Sequence, residues 1–481
     1  MQQMIIGGRA CGSSTGATLE VVNPATSEVF DEVPEASLGD AARALETAAA
    51  NRLLWAKTPL HQRVVAIHRF LQLLEEHRSE LATLVTLETG KTLRESDEEV
   101  TDTAAVFRGF AERAASALYG MAAQLDMQVG LESDYLITRR EPLGVVVAIL
   151  PFNFPIEMYA HKVAPALLAG NVVIVKPSED TPLSALKLTE WLAEAGVPGY
   201  ALQCVTGLGH TVGEALVTSP LVNGISMTGS TEVGAHIYQA GAKNLARVFL
   251  ELGGNDPLLV LADADVDLAV EMAVLGRTLC AGQCCSANKR LLVERAVRDE
   301  FTDKLLKRVA GLRSGDPLDP DTGIGTLISA DAAARAEAQV VATIGEGAHI
   351  ELRGEVDAAA FGPTVLLEVT KDMAIAQDME IFAPVFPVIA AGSEGEMIEI
   401  ANNTTYGLSA AVFTRDYEKA FSMGSAIECG LVVINGTSLY RPLIHQHGGY
   451  KRSGIGREGF DITMQEMTQN KGIAFRGAVT A

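Results

Sequence analysis

From Gly144 to Ala242 the chain keeps switching its hydrophobic period, and this alternation restricts the possible folds more than any other feature. Gly144-Val-Val-Val-Ala-Ile-Leu-Pro151, Asn171-Val-Val-Ile-Val175, Leu202-Gln-Cys-Val205 and Gly224-Ile-Ser-Met227 are short apolar runs of strand type. Leu183 to Ala195, Val212 to Ser219 and Glu232 to Ala242 lie between or after them and carry helical patterning. Strands that are apolar on both faces and separated by helices belong to a parallel sheet covered on both sides. The fold class is therefore α/β. Upstream, Leu38 to Ala56 and Leu60 to Thr89 repeat apolar residues at three- and four-residue spacings and predict helical layers. Tyr135-Leu-Ile-Thr-Arg-Arg-Glu141 alternates like an exposed strand. After Glu251 a second α/β stretch follows: a helix over 267–280, a strand at Arg290-Leu-Leu-Val-Glu294 and a helix over 297–309. A Gly-, Asp- and Pro-rich loop spans Ser314 to Gly325, and alternation then resumes to about Ile434.

The 481 residues leave room for two or three domains. With 60 acidic and 38 basic side chains the net charge is −22, which argues against nucleic acid or an anionic membrane as partner, since both need clustered cations. Six cysteines are too few for a disulfide framework, and the adjacent Cys284 and Cys285 read as thiols. Residues 1–16 lack a basic segment followed by an apolar one, and no apolar run approaches the roughly 18 residues of a membrane span. These features predict a soluble protein in a reducing, cytoplasmic setting.

Four short segments carry candidate chemistry. Gly229-Ser-Thr-Glu-Val-Gly234 follows a predicted strand and opens a predicted helix, where unpaired N–H groups and the helix dipole suit a pyrophosphate; a tight βα turn with a Ser cap would use the same residues. Lys176-Pro-Ser-Glu179 lies just beyond a strand end, where its carboxylate could accept from ribose hydroxyls and repel a 2′-phosphate; a solvated loop is the alternative. Glu251 stands between an apolar strand and Gly253-Gly254, a setting expected to raise its pKa toward base work. Gly282-Gln283-Cys284-Cys285 ends in a thiol among small residues, suited to attack a carbonyl carbon, although a lone cysteine is more often inert packing.

Taken together, these runs, with Pro151-Phe-Asn153-Phe-Pro155, Glu380-Ile-Phe-Ala-Pro384 and Gly448-Gly-Tyr-Lys-Arg-Ser-Gly-Ile-Gly-Arg-Glu458, resemble the aldehyde dehydrogenase superfamily in order and spacing, from Asn23-Pro24 to about Phe460. The resemblance implies a Rossmann-like cofactor domain from 1–121 and 143–253, an α/β catalytic domain over 254–450, and a small β oligomerisation arm from 122–142 with the tail 460–481. It further implies a homodimer or homotetramer. By motif position Cys285 is the nucleophile and Cys284 its neighbour. Asn153 and the Cys285 N–H would hold the oxyanion, and Glu251 would activate water on the thioester. Lys162 and Glu458 match positions on a proton route from that base. Lys176, Ser178 and Glu179 would lie at the adenosine ribose, Gly229 and Ser230 at the pyrophosphate, and Glu380 with Phe382 at the nicotinamide end, with NAD favoured over NADP. The activity implied is oxidation of an aldehyde to an acid. A CoA-acylating relative is the alternative, against which Glu251 argues; a non-catalytic descendant is another, against which Cys285, Glu251 and Asn153 argue together.

The sequence departs from the family pattern at informative places. Asn255 and Ala383 replace the common lysine and glycine of their motifs, and Gln446-His447 replaces a common Pro-Phe pair, with His445 just upstream. His161 stands where many members that use apolar aldehydes have tryptophan. Convergence of His161, His445, His447 and Arg441, joined by Arg108, would suit a small polar or anionic aldehyde such as a semialdehyde. Glu157, one helical turn before His161, could neutralise it or favour an aminoaldehyde. No metal is expected, since His445 and His447 lack a patterned third ligand.

Overall fold

The computed structural model describes residues 1–478; the end of the expected tail, 479–481, lies outside the described residues. The alternating strands between Val145 and Glu251 build one sheet. In spatial order it runs Arg9–Cys11, Met4–Ile6, Leu202–Cys204, Val172–Lys176, Val145–Ile149, Gly224–Thr228, Arg247–Glu251 and Gly454–Ile455. The five strands from Leu202–Cys204 to Arg247–Glu251 are parallel. Counted along the chain their order is 3-2-1-4-5, so the direction of winding reverses between Val145–Ile149 and Gly224–Thr228. Helices leave opposite faces there, and a crevice opens beyond the strand ends, the usual ligand position in such sheets.

A second sheet runs His349–Arg353, Thr364–Val369, Val385–Ala391, Arg290–Glu294, Pro257–Val260, Ser409–Phe413 and Leu431–Ile434. All pairs in it are parallel except the one at the His349–Arg353 edge. Only five residues separate Glu251, ending a strand of the first sheet, from Pro257, opening a strand of the second. That short passage carries Gly253 and Gly254, and a Cβ on Gly253 would collide with the Glu380 carboxylate. Glycine there leaves room for the Glu380 carboxylate beside the passage.

The C-terminal segment contributes to three places. Gly454–Ile455 pairs antiparallel with Arg247–Glu251, fastening the loop around Glu458 to the first sheet. The helix Phe460–Glu466 packs on the long helix Leu93–Leu118, with Phe460 edge-on to Phe110. Thr468–Phe475 then pairs with Tyr135–Pro142, which pairs in turn with Ala122–Gln124, to make a three-stranded arm. Ile137, Ile473 and Phe475 are exposed on it. Within the described residues no helix is long and apolar enough to cross a membrane, and the six cysteines are unpaired.

The predicted helix over 60–89 is two helices, Leu60–Glu76 and Arg78–Thr89, broken at His77. The segment expected as a helix over 212–219 is shorter, Glu214–Val217, preceded by a wider turn at Gly209–Gly213.

Candidate active site

Cys285 is delivered by a strained turn. The helix Val266–Thr278 ends, and Cys280 and Ala281 then take left-handed backbone angles, with φ of 50° and 52°. Gly282 follows at φ 78°, where a Cβ would run into the Ala383 carbonyl. Such conformations cost of order 1–3 kcal/mol each for non-glycine residues and need outside support. Gln283 supplies part of it: Nε2 donates to Cys280 O and Oε1 accepts from Ile328 N. Glu95 supplies the rest, its Oε1 accepting from Cys280 N at 3.0 Å. Glu95 also closes a capping box with Thr92 at the start of Leu93–Leu118, so one carboxylate ties a helix end to the cysteine turn.

Asn153 arrives from the other sheet, on the loop after Val145–Ile149 at the winding reversal. Its Nδ2 donates to Gln283 O at 2.7 Å, which fixes the amide beside the cysteine turn and leaves its second N–H to donate elsewhere. The following helix, Pro155–Ala169, is anchored by Glu99, whose Oε1 accepts from Ile156 N and Glu157 N. Glu99 is in turn paired with the fully buried Lys91 at 2.6 Å. Asn153, Thr228, Glu251, Cys284, Cys285, Ser286 and Arg441 all line one cavity of about 370 Å³.

The two adjacent thiols share their protons. Hydrogen bonding from Cys285, reinforced by Ser286 and Lys289, pulls the Cys284 thiol down. The same hydrogen bond, with burial and the neighbouring negative charge, pushes Cys285 up. Lys289 was missed by the sequence reading. Its ammonium donates to Cys285 O, lies 3.1 Å from Glu380 Oε1 and sits over the Phe382 ring. A lysine four residues past the thiol, buried against an apolar strand, was the available signal.

Glu251 is 4% exposed, yet its pKa lies well below the usual range, opposite to the expectation from its apolar strand. Burial does push it up, but the Arg441 charge, His447 and Lys162 outweigh burial. Arg441 Nη1 is 3.5 Å and His447 Nε2 2.9 Å from Oε1, while Oε2 accepts from Thr228 Oγ1. Glu458 completes the cluster, accepting from Lys162 Nζ at 2.9 Å and from Arg441 Nη2 at 2.6 Å.

The expected substrate residues are thus distributed unevenly. Arg441 lines the cavity; His447 lies against Glu251, with His445 edge-on behind it. His161 is buried 3.7 Å from Glu157 and edge-on to Phe110. Arg108 is exposed and is not part of the cavity wall. The cavity has an acidic rim instead, with Glu98, Asp102 and Glu157 on it. Burial and these neighbouring carboxylates raise Asp102 to about 6.

On the opposite side, Lys176 Nζ meets Glu179 Oε2 at 2.9 Å just past the strand Val172–Lys176, with Ser178 between them in the loop. Ser230 caps the helix Thr231–Ala242 by accepting from Val233 N, and Gly229 N donates to Glu251 O. Glu380 Oε1 accepts from Gly254 N, and Phe382 stands edge-on to Phe152. Among the described residues no group of three His, Cys, Asp or Glu side chains is placed to hold a metal ion.

A thiol and a carboxylate share one cavity between the two sheets, and comparison with known proteins decides the family. Residues 12–473 match the family model described as aldehyde dehydrogenase family. The chain belongs to the aldehyde dehydrogenase family. It is an aldehyde-oxidising enzyme, and the match covers the second sheet whole and most of the first sheet and of the arm. It is 37% identical to glutarate-semialdehyde dehydrogenase of Pseudomonas putida, over 98% of this chain and 97% of that one. It is also 37% identical to succinate-semialdehyde dehydrogenase [NADP(+)] of Escherichia coli, with the same coverage. Among solved structures, betaine aldehyde dehydrogenase from Staphylococcus aureus in complex with NAD+ superposes with a TM-score of 0.95 at 34% identity, covering 100% of this chain and 96% of that chain.

Proposed function

We propose that the protein oxidises a small polar aldehyde to its carboxylic acid with NAD as acceptor, Cys285 serving as nucleophile and Glu251 as the base for hydrolysis. The observation that carries this reading is the shared cavity that holds Cys285, Glu251 and Asn153 between the two sheets. The residues facing the crevice fit a dinucleotide: a Ser230-capped helix start for the pyrophosphate, and Lys176 with Glu179 at a strand end for ribose hydroxyls. Glu380, held by Gly254 N–H and Lys289, would meet the second ribose, with Phe382 beside it. When bound, NAD accepts the hydride. Glu179 disfavours a 2′-phosphate and so favours NAD over NADP.

The Cys285 thiolate adds to the aldehyde carbon, and the new oxyanion is held by the Cys285 N–H and the free N–H of the Asn153 amide. Loss of hydride leaves a thioester on Cys285. Glu251, kept ionised by Arg441 and His447, takes a proton from water as hydroxide adds to the thioester carbon. Lys162 and Glu458, joined to the same cluster through Arg441, form a proton route from it.

Arg441 on the cavity wall supports an anionic aldehyde, the class named by the semialdehyde relatives. The rim of Glu98, Asp102 and Glu157 favours a second reading, a cationic aminoaldehyde. Specificity constants over anionic, neutral and cationic aldehydes separate the two; a preference for long apolar aldehydes would defeat both. NADH formation should appear with wild type without CoA and vanish in Cys285→Ala. Strict dependence on CoA would replace hydrolysis with acyl transfer, and no turnover over a broad panel would favour a non-catalytic role.

The two-domain division at about residue 253 with a separate arm remains our reading of the architecture. The exposed apolar face of the arm supports pairing with another copy, as a homodimer or homotetramer. Light scattering after chromatography tests it, and a clean monomer would count against it. The unpaired thiols fit a cytoplasmic setting.

A further inference from the structure

The Gly253-Gly254 passage lies against two groups of the cleft at once, and one buried ammonium joins them. A Cβ on Gly254 would run into the carbonyl oxygen of Cys285, and one on Gly253 would run into Glu380 Oε2. Lys289 Nζ donates to Cys285 O and lies 3.1 Å from Glu380 Oε1, on a side chain only 1% exposed. The ring of Phe382, two residues past Glu380, is 5.5 Å from the same ammonium. Asn255 stands where the motif commonly has lysine, and its Nδ2 donates to Ile375 O and Gln377 O, so the cation that meets Glu380 is Lys289. The other carboxyl in reach of its field is Asp256. Burial pushes that group up to about 8, which leaves it mostly protonated at neutral pH and makes Glu380 the counter-ion.

We propose that Lys289 is a positioning residue for hydride transfer: its ammonium ties the backbone of the nucleophile to the carboxylate that orients the nicotinamide ribose. The thiohemiacetal carbon and the nicotinamide thereby keep one relative placement. The proposal rests on Cys285 as nucleophile and on Glu380 at that ribose.

The two ends of the bridge have matching geometry. Glu380 Oε1 accepts from Gly254 N at 3.1 Å and faces the ammonium, which leaves Oε2, over Gly253, to accept from ribose hydroxyls. At the other end, the charge-assisted bond to Cys285 O holds the peptide that follows the thiol-bearing residue. Without the lysine, the carbonyl loses this donor and the Glu380 charge, on a side chain only 19% exposed, loses its counter-ion. Both reacting partners are then free to shift, and a displacement of about 1 Å costs on the order of 10²-fold in rate. This effect is geometric and adds to the one that the lysine charge has on the thiol pair.

The test separates the two effects. Full-length Lys289→Met and Lys289→Gln, in excess over aldehyde and with saturating NAD, give a single-turnover rate of NADH formation. At the same pH, alkylation of Cys285 by iodoacetamide is followed by peptide mass spectrometry. Dividing the first rate by the second removes the effect of the lysine charge on the thiol. Both variants are expected to lower this ratio roughly 10- to 100-fold, with the KM for aldehyde unchanged. Lys289→Gln keeps a polar group at the buried position, so a misfolded Lys289→Met leaves the test in place. Glu380→Gln should lower the ratio similarly, and the Lys289→Met/Glu380→Gln double variant no further than the slower single one, because the same bridge is lost in each. A wild-type ratio in the Lys289 variants would confine the lysine to the thiol, and losses that multiply in the double variant would make its role independent of Glu380; either result overturns the proposal. A wild-type ratio in Glu380→Gln beside slow Lys289 variants would instead unseat the ribose assignment, and the proposal with it.

Discussion

The two walls of the Cys285 cleft are built by different means. The proposed cofactor wall relies on strand ends and backbone: a capped helix start at Ser230, a Lys176–Glu179 pair, and Glu380 held by Gly254 N–H. The substrate wall is a buried ionic cluster in which Glu251, His447, Arg441, Glu458 and Lys162 determine one another's charge. A site made from backbone tolerates single side-chain changes. A buried cluster does not, since removing one partner strands the charge of another. The first wall therefore suits a ligand of fixed chemistry, and the second is where this chain sets its own conditions.

Substitutions on each side test that contrast. Cys285→Ala should lower aldehyde-dependent NADH formation by about 10⁶-fold, in effect abolishing it, as expected for loss of a nucleophile, with an unchanged melting transition. Cys284→Ala should retain most activity, and equal losses from the two changes would make the thiols interchangeable. Asn153→Ala should cost roughly 10²- to 10³-fold in kcat, the usual effect of one lost oxyanion donor. Preserved kcat would remove the amide from the mechanism.

Lys289→Met should slow alkylation of the thiol pair at neutral pH about tenfold, because each pKa unit is a factor of ten in thiolate. The sign follows from charge: the ammonium favours thiolate, so its loss raises the thiol pKa and moves the alkylation profile to higher pH. An unmoved profile would place Lys289 with Glu380 alone. Glu179→Gln, the mildest change, should narrow the preference for NAD over NADP by roughly tenfold, about 1.4 kcal/mol. Unchanged selectivity would show that the cofactor wall discriminates elsewhere.

The local geometry of the proposed cofactor wall was legible in the sequence because its parts are close along the chain. Lys176 and Glu179 are three residues apart, and a strand, a glycine and a serine cap in succession announce the helix start at Thr231. The meeting of Cys285 and Glu251 on one cavity was legible from their motifs, but the charge state of Glu251 was not. Its apolar strand predicted a raised pKa, whereas the groups that lower it come from Arg441 and His447, distant in sequence and brought close by the Gly454–Ile455 pairing. The same holds for Glu95 and Glu99. Each sits on the helix Leu93–Leu118, yet supports Cys280 and the start of the Asn153 helix through contacts across the fold. Local patterning carries helix starts and strand ends; buried electrostatics depends on which distant segments meet.

The central claim is that Cys285 carries an acyl thioester that Glu251 helps to hydrolyse. Full-length Glu251→Gln mixed with aldehyde and NAD, then quenched in acid and analysed by peptide mass spectrometry, tests it directly. The account predicts an acyl adduct that accumulates on Cys285 together with a burst of NADH. An adduct on Cys284, or rapid turnover with no adduct on either thiol, would contradict it.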